Sequence, residues 1–143
     1  YFAGGICYGF RSGGRKHDVW KWAIMATQLY KIIKDKNAEL IVDHLEQAHS
    51  FFERGKGLLG RESMNERYGL WIKPCNNIHT FFMKFKIDCV FLDERLVIQK
   101  IASNIKPFRV AGPVWKARSV IELKAGTVEK WKLAVGDQLY VVS

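Results

Sequence analysis

The chain has 143 residues, of which 48% are apolar and 13% aromatic, and this composition suffices for one domain with a buried core. Lys and Arg number 23 against 14 Asp and Glu, so the formal net charge is +9. The longest apolar runs are far shorter than the roughly 18 residues of a membrane span and no secretory signal pattern is present, so we expect a soluble, cytoplasmic protein.

The first part of the chain differs from the remainder. Residues 1–24 combine glycines, aromatic residues and basic residues without a sustained strand or helix pattern. Recognisable patterning begins directly after Met25, which predicts that Met25 is the natural start and that the preceding residues are an N-terminal extension from upstream translation. The alternative is a genuine arm in which Trp20 and Trp22 dock on the domain.

Short β-rich runs bounded by charged or turn residues begin at Leu29. LYKIIKD and AELIVDHL predict two strands, and the turn residues 35–37 between them predict a hairpin. Ser50 is a candidate N-cap with Glu53 as its capping partner, which predicts a short helix over residues 50–59.

Six further runs, rich in Phe, Ile and Val, predict strands: YGLWIKP, IHTFFMKF, IDCVFLD, RLVIQKI, RSVIEL and QLYVV. AGTVEKWKL, with Thr127 as its N-cap, predicts a second short helix. Seven or eight strands with two short helices indicate a mainly β (α+β) fold, a small barrel-like domain whose closure protects the strand edges.

Four blocks occur in a fixed order along the chain: GLLGRES, CNNIHTFFMKFKIDCVFLDE, NIKPFRVAGPVWKARSVIELKAGT and LAVGDQL. In sequence and spacing they resemble the bacterial and archaeal family known as domain of unknown function 192, over about Leu29 to Val142. The resemblance implies a compact, mainly β, barrel-like fold with short helices for a single domain over residues 25–143. It implies no activity, because that family has no established one.

His79 is the first candidate functional residue. Alternation along the predicted strand IHTFFMKF places His79 on one face with Phe81, Met83 and Phe85. A histidine on so apolar a face is more often a core residue with a backbone partner. The functional interpretation makes it the polar group of a ligand pocket lined by Met83 and the phenylalanines.

Asp88 is the second candidate. It shares a strand face with Val90 and Leu92, so its carboxylate is expected to be partly buried and to need a partner that offsets the lost hydration. Arg61 or Lys84 could supply that partner as an ion pair that fixes the fold. Arg61 could alternatively offer its planar guanidinium to an anionic ligand.

The sequence predicts neither a metal site nor a cofactor. Three cysteines, Cys7, Cys75 and Cys89, are an odd number without close pairing, which is typical of a reducing compartment. Cys75 and His79 have a Cys-x3-His spacing, but no second pair of ligands lies nearby and tetrahedral zinc sites need four. The run GKGLLGRES lacks the ending of a phosphate-binding loop.

The leading functional hypothesis is a binding module for a small ligand or a partner's peptide, because polar groups lie in an aromatic strand without a catalytic motif. Its candidate ligand-binding residues are His79, Met83, Arg61, Asp88 and Lys84. We expect the module to be a monomer.

Two alternatives stay open. The first is a small hydrolase-like enzyme in which His79 performs acid-base catalysis with Asp88 or Glu122, although no nucleophile motif is present. The second and weaker one is nucleic-acid binding, from the charge of +9. The basic residues are spaced singly along the chain, which favours a solvated positive surface instead.

Overall fold

The fold is described by a computed structural model, which covers residues 27–32, 37–48 and 58–143. The extension 1–24 and the start proposed at Met25 lie outside the described residues. So does most of the helix predicted over residues 50–59, of which only a turn at its end is described.

The described residues form a mainly β fold, as the sequence predicted, with ten short strands in three sheets and one short helix. The strands are β1 Gln28–Ile32, β2 Ala38–Val42, β3 His44–Ala48, β4 Tyr68–Ile72, β5 Ile78–His79, β6 Ile87–Leu92, β7 Ile98–Ile105, β8 Val110–Ala111, β9 Ser119–Lys124 and β10 Leu139–Val142. The helix, α1, is Thr127–Lys130.

A five-stranded sheet in the order β3-β4-β9-β6-β7 forms the centre of the fold. Its strands pair antiparallel, except for β3 and β4, which are parallel. Every residue of β6, IDCVFL, is buried because side chains from other parts of the chain cover both faces of the sheet. A strand buried on both faces reads as a continuous apolar run, which explains why IDCVFLD was easy to recognise.

Two hydrophobic clusters lie on the two faces of this sheet. Cys89 and Phe91 of β6 point into one cluster, while Val90 and Leu92 point into the other. The second cluster also contains Leu29 of β1, so the three-stranded sheet β10-β1-β2 packs over that face.

Several predicted strands differ from the observed ones. AELIVDHL is not one strand but two, because a bend at Asp43 sends β2 into the three-stranded sheet and β3 into the five-stranded one. The predicted pairing of the first two strands is confirmed, since β1 and β2 are antiparallel. IHTFFMKF contributes only β5, because a turn follows it directly. The three sheets of the described residues do not close into the barrel-like arrangement that was expected.

A buried carboxylate joins β6 to two distant parts of the chain. Asp88 is fully buried, as the sequence indicated. Its Oδ1 accepts a hydrogen bond from the Asn104 backbone N–H at 2.8 Å. Its Oδ2 accepts two more, from Gly126 at 3.0 Å and Val128 at 2.9 Å. Three amide donors offset the lost hydration of the carboxylate.

The predicted partners of Asp88 and the predicted cap of α1 are therefore both wrong. Neither Arg61 nor Lys84 contacts Asp88, because their charges are paired elsewhere. The N-cap of α1 is Gly126, with a φ of 92°, rather than Thr127. Asp88 binds the first amides of this helix in place of a local capping side chain.

Among the described residues, no helix is long and apolar enough to cross a membrane.

The substitution Asp88→Asn tests whether the buried carboxylate stabilises the fold through its three amide hydrogen bonds. The new amide nitrogen must face at least one backbone N–H, and each buried donor left without an acceptor costs about 1–3 kcal/mol. We expect the free energy of unfolding, measured by urea denaturation, to fall by about 2 kcal/mol or more. Glu129→Gln, an exposed change in the same helix, serves as the control. A fall below about 0.5 kcal/mol for Asp88→Asn contradicts the assignment.

Candidate functional site

The candidate site is built on the two-stranded sheet formed by β5 and β8. His79 lies opposite Val110, and Ile78 lies opposite Ala111. Ile78 points into the core, whereas His79 and Val110 are both exposed. The two strands thus present one face to solvent. β5 leads into a loop with Phe81 and Phe82, and a loop with Phe108 leads into β8.

Thr80 ties these two loops together. Its backbone N–H donates to the Arg109 carbonyl at 2.8 Å, and its own carbonyl accepts from the Phe108 N–H at 2.9 Å. Its hydroxyl donates to the Lys106 carbonyl at 2.7 Å and accepts from the Arg109 N–H at 3.0 Å. Thr80 is fully buried, so these bonds are shielded from water and hold the loops in one arrangement.

The loops carry a contiguous exposed aromatic cluster. The His79 ring stacks on Phe81 at 5.2 Å between centroids, Phe81 lies 6.4 Å from Phe108, and Phe82 meets Phe108 edge-on at 5.5 Å. Phe82 is 75% exposed, Val110 61% and Phe108 54%. We call these five residues, His79, Phe81, Phe82, Phe108 and Val110, the aromatic surface.

Two of these phenylalanines have an unfavourable backbone conformation. Phe82 has a φ of 60° and Phe108 a φ of 58°, in the left-handed region that glycine and asparagine tolerate and bulky residues avoid. Such a conformation costs on the order of 1–3 kcal/mol at each residue. Burial of the rings does not offset this cost, because more than half of each side chain remains in water.

His79 shares its face with Phe81, as predicted, but that face is exposed, so the prediction of a core position beside Met83 is wrong. Thr80 occupies the buried position that follows it, and the Met83 N–H donates back to the Thr80 carbonyl at 3.3 Å. This turn ends the alternation of a strand after two residues. Met83 is buried in the hydrophobic core, so it lies beneath the loop and not on the aromatic surface.

Arg61 belongs to a different cluster. Its Nη2 donates to Glu46 Oε2 at 3.2 Å, and its guanidinium lies 4.6 Å from the centre of the Tyr68 ring. Tyr68 donates its hydroxyl hydrogen to the same Glu46 oxygen at 2.6 Å, which with Arg61 lowers the pKa of Glu46. Burial, with this hydrogen bond, raises the pKa of Tyr68. Lys84, the remaining candidate, forms an ion pair with Glu62.

Glu122 is a second buried acid, on the opposite face of the sheet from Asp88. In the pairing of β6 with β9, Asp88 lies opposite Leu123, whereas Cys89 lies opposite Glu122. Burial raises the pKa of Glu122 to about 7. Its Oε2 has no hydrogen-bond partner within the described part of the chain. Burial, followed by the charge of Glu122, also raises the pKa of the Cys89 thiol.

The structure does not bring the proposed acid-base residues together. Both oxygens of Asp88 are occupied by backbone amides. Glu122 is buried on the other side of the sheet, and His79 is exposed above β5. Among the described residues, no three His, Cys, Asp or Glu side chains are grouped so that they could hold a metal ion.

An open groove of about 560 Å³ lies beside α1. Its lining includes Glu66, which pairs with Lys124 at 3.3 Å and with Lys130 at 3.5 Å. Arg67, also in the lining, pairs with Asp43. Each charged side chain of the lining is already paired with another one, so the groove offers a ligand less than the aromatic surface does.

Sequence reasoning missed Thr80, Phe82, Phe108 and Val110. The composition of two segments could have indicated that these residues form a surface. Residues 78–86 and 105–113 together hold four phenylalanines and four basic residues, and neither segment contains an acid. Only the pairing of β5 with β8 shows that the two segments form one surface.

The chain is similar to known proteins over most of its length. The model of a protein family described as Uncharacterized ACR, DUF192, matches residues 32–141. UPF0127 protein PH1112 from Pyrococcus horikoshii is 35% identical over 98 residues, which cover 64% of this chain and 82% of that protein. A UPF0127 protein from Thermococcus gammatolerans is 31% identical over 113 residues, which cover 74% and 71% of the two chains.

Two solved structures share the fold. One, from Sinorhizobium meliloti, is named as a proposed transcription regulator; it has a TM-score of 0.70 at 22% identity and covers 81% of this chain and 94% of its own. The other, a protein of unknown function from Novosphingobium aromaticivorans, has a TM-score of 0.69 at 17% identity and covers 79% and 83%. At these identities the likeness establishes the fold alone.

Substituting Thr80→Val tests the junction of the two loops. The isosteric change leaves the Lys106 carbonyl without its donor and the Arg109 N–H without its hydroxyl acceptor, so we expect a loss of about 2 kcal/mol in unfolding free energy. Thr80→Ser keeps the hydroxyl and removes one methyl group, for about 1 kcal/mol. Urea denaturation measures both. If Thr80→Val is at least as stable as Thr80→Ser, the junction is not what holds the loops.

The buried Glu122 predicts a pH-dependent stability. Its pKa rises from the ordinary value of 4.5 in the unfolded chain to about 7 in the folded one, so the folded state binds the proton more tightly. This contribution to stability is complete below pH 4.5 and is lost as the pH rises towards and through 7, about 3 kcal/mol in total. Urea denaturation from pH 5 to pH 8 measures the decline.

Glu122→Gln should abolish this part of the decline, because the amide does not titrate. Glu129→Gln, at an exposed position, should retain the slope of the unsubstituted protein. Parallel stability profiles for Glu122→Gln and the unsubstituted protein would show that Glu122 is not the titrating group.

Proposed function

We propose that this chain, which belongs to the DUF192 family as its sequence blocks predicted, acts as a binding module whose partner docks on the aromatic surface. The observation that carries the proposal is the backbone of Phe82 and Phe108. Two bulky residues are held at positive φ with their rings largely in water. Strain that contributes nothing to the packing of the core is typical of sites that are preorganised for a partner.

Hydrogen bonds from surrounding residues hold the aromatic surface in one arrangement. The hydrogen bonds of Thr80 fix both loops, and Asp88 holds Asn104, just before the second loop, through its backbone amide. A surface that keeps its shape before binding loses less conformational entropy when the partner arrives. Exposed aromatic side chains on such a frame are typical anchors of interaction sites.

The predicted binding residues divide into two groups. His79 lies in the aromatic surface, and Lys84 follows Phe82 closely along the same loop. Met83 and Asp88 are buried, and Arg61 is paired with Glu46. The proposal therefore keeps the binding module and moves its contact surface outward, from a pocket around Met83 to the exposed rings.

The acid-base enzyme gains no support from the arrangement of the described residues. His79, Asp88 and Glu122 lie in three separate environments, and general acid-base catalysis needs such groups within reach of a common point. A binding function needs only the exposed surface.

Replacing Phe82 and Phe108 with asparagine tests whether their side chains serve binding or stability. Asparagine tolerates positive φ, so relief of strain should offset the small loss of contact. We expect the unfolding free energy of each variant, measured by urea denaturation, to be unchanged or to rise by up to about 1 kcal/mol. Tyr140→Asn is the matched control, since Tyr140 is 57% exposed in a regular strand, and it should lose stability.

A fall of more than about 1 kcal/mol for Phe82→Asn would show that the ring stabilises the fold, against the proposal. The binding function itself is tested by thermal denaturation with three probes: a single-stranded oligonucleotide, an acidic peptide containing tryptophan, and vesicles with anionic lipid. At least one probe, tenfold above its dissociation constant, should raise the Tm of the unsubstituted protein by about 3 °C or more. No shift with any probe, or an equal shift in the Phe82→Asn, Phe108→Asn double variant, contradicts the binding module.

A further inference from the structure

We infer that the partner of the aromatic surface is a single-stranded nucleic acid, with unpaired bases stacked on Phe82 and Phe108 and phosphates held by Lys86, Lys106 and Arg109. This inference rests on the proposed function and names the class of its partner. Charge, ring exposure and the interleaving of rings with cations each support it.

The net positive charge of the described residues comes from the two segments that carry the aromatic surface. Segments 78–86 and 105–113 contain Lys84, Lys86, Lys106 and Arg109 and no acid. The other described residues contain eleven basic and eleven acidic side chains, which balance. The two segments are distant in the sequence, yet β5 pairs with β8 and Ile87 pairs with Ile105, so they lie side by side. One acid from outside them, Glu62, pairs with Lys84. A basic patch of this kind is the electrostatic footprint of a nucleic-acid partner.

Three of the four cations are available to a partner. Lys84 is paired with Glu62, whereas Lys86, Lys106 and Arg109 form no ion pair within the described part of the chain. All three are exposed. The guanidinium of Arg109 donates to the Phe108 backbone carbonyl at 3.0 Å, which ties its charge to the backbone of that residue. An anionic group placed there would meet both the charge and the aromatic ring.

The rings suit nucleobases because phenylalanine has no hydrogen-bonding group. Bases stack on aromatic side chains whatever their sequence, since every base has a π-face. Phe82 and Phe108 are adjacent, at 5.5 Å between centroids, and largely exposed. In a duplex the faces of the bases are already stacked on one another, so only an unpaired strand can offer them to the rings.

Cations flank an exposed ring in the second loop. Phe108 lies between Lys106 and Arg109 in the sequence, and all three residues are exposed. A nucleic acid strand alternates bases with phosphates in the same way. A membrane-binding surface instead separates a continuous apolar face from a charged one, and an acidic peptide has no repeating planar group to match exposed rings.

Fluorescence anisotropy with a labelled twelve-nucleotide oligo(dT) tests the inference on the full chain. We expect a dissociation constant below about 100 µM in 50 mM salt, and a log–log salt slope near about −2 for three phosphates neutralised on a single strand. Phe82→Asn with Phe108→Asn should weaken binding about tenfold or more, whereas the control Tyr140→Asn should leave it unchanged. A duplex of the same length should bind about tenfold more weakly than the single strand.

The charge contacts are tested with Lys106→Ala and Arg109→Ala. Each should make the salt slope shallower by about 0.7, since each removes one phosphate contact. Lys116→Ala, at an exposed lysine outside the two segments, is the matched control and should preserve the slope. Equal binding of duplex and single strand, or an unaltered affinity in the double phenylalanine variant, overturns the inference.

The failure of this inference is distinguishable from failure of the proposed function. If the acidic peptide or the anionic vesicle binds at the aromatic surface and the oligonucleotide does not, the binding module stands and the nucleic-acid partner is overturned. If none of the three binds, both are overturned.

Discussion

The hydrogen bonds of Thr80 are the interaction on which the aromatic surface depends. Residues 78–86 and 105–111 are distant in sequence, and their strands pair over only two residues each. So short a ladder cannot by itself fix the loops that follow it. Thr80 adds bonds from its amide, its carbonyl and its hydroxyl to the second loop, in a position closed to water. The positions of Phe81, Phe82 and Phe108 follow from that junction.

A second anchor connects this surface to the centre of the fold. Asp88 lies in the middle of the five-stranded sheet, and its two oxygens bind the amide of Asn104 and the first amides of α1. Asn104 itself has a φ of 53° near the end of β7, where the register between β6 and β7 shifts. The buried acid that the sequence singled out is thus a structural support for the surface rather than a part of it. Its position explains why an apolar strand contains a carboxylate.

The sequence predicted best the strands whose residue types are determined by burial. β6 and β9 were recognised because both faces of the central sheet are covered, which leaves a run of apolar residues that few other structures accommodate. The sequence predicted that Asp88 is buried, but it did not predict the partners of Asp88. Two of these partners are backbone amides 38 and 40 residues away, and a backbone amide cannot be recognised as a partner from the residue type. The exposure of His79 was missed because the alternation, which holds from Ile78 to Phe81, was assumed to continue to the buried Met83. Phe82 interrupts it with a positive φ, which its residue type does not predict. The approach of the two basic segments, 78–86 and 105–113, could not be predicted either, since it follows from strand pairing.

Binding of single-stranded nucleic acid at the aromatic surface is the proposal that most needs a direct test. Titration of the ¹⁵N-labelled chain with the oligonucleotide, followed by amide chemical shifts, tests it most directly because each residue reports separately. We expect the shifts to concentrate at residues 79–82 and 106–110, and we expect the groove beside α1, at Lys124 to Trp131, to stay unperturbed. Shifts concentrated in that groove, or no shifts at saturating oligonucleotide, would contradict it.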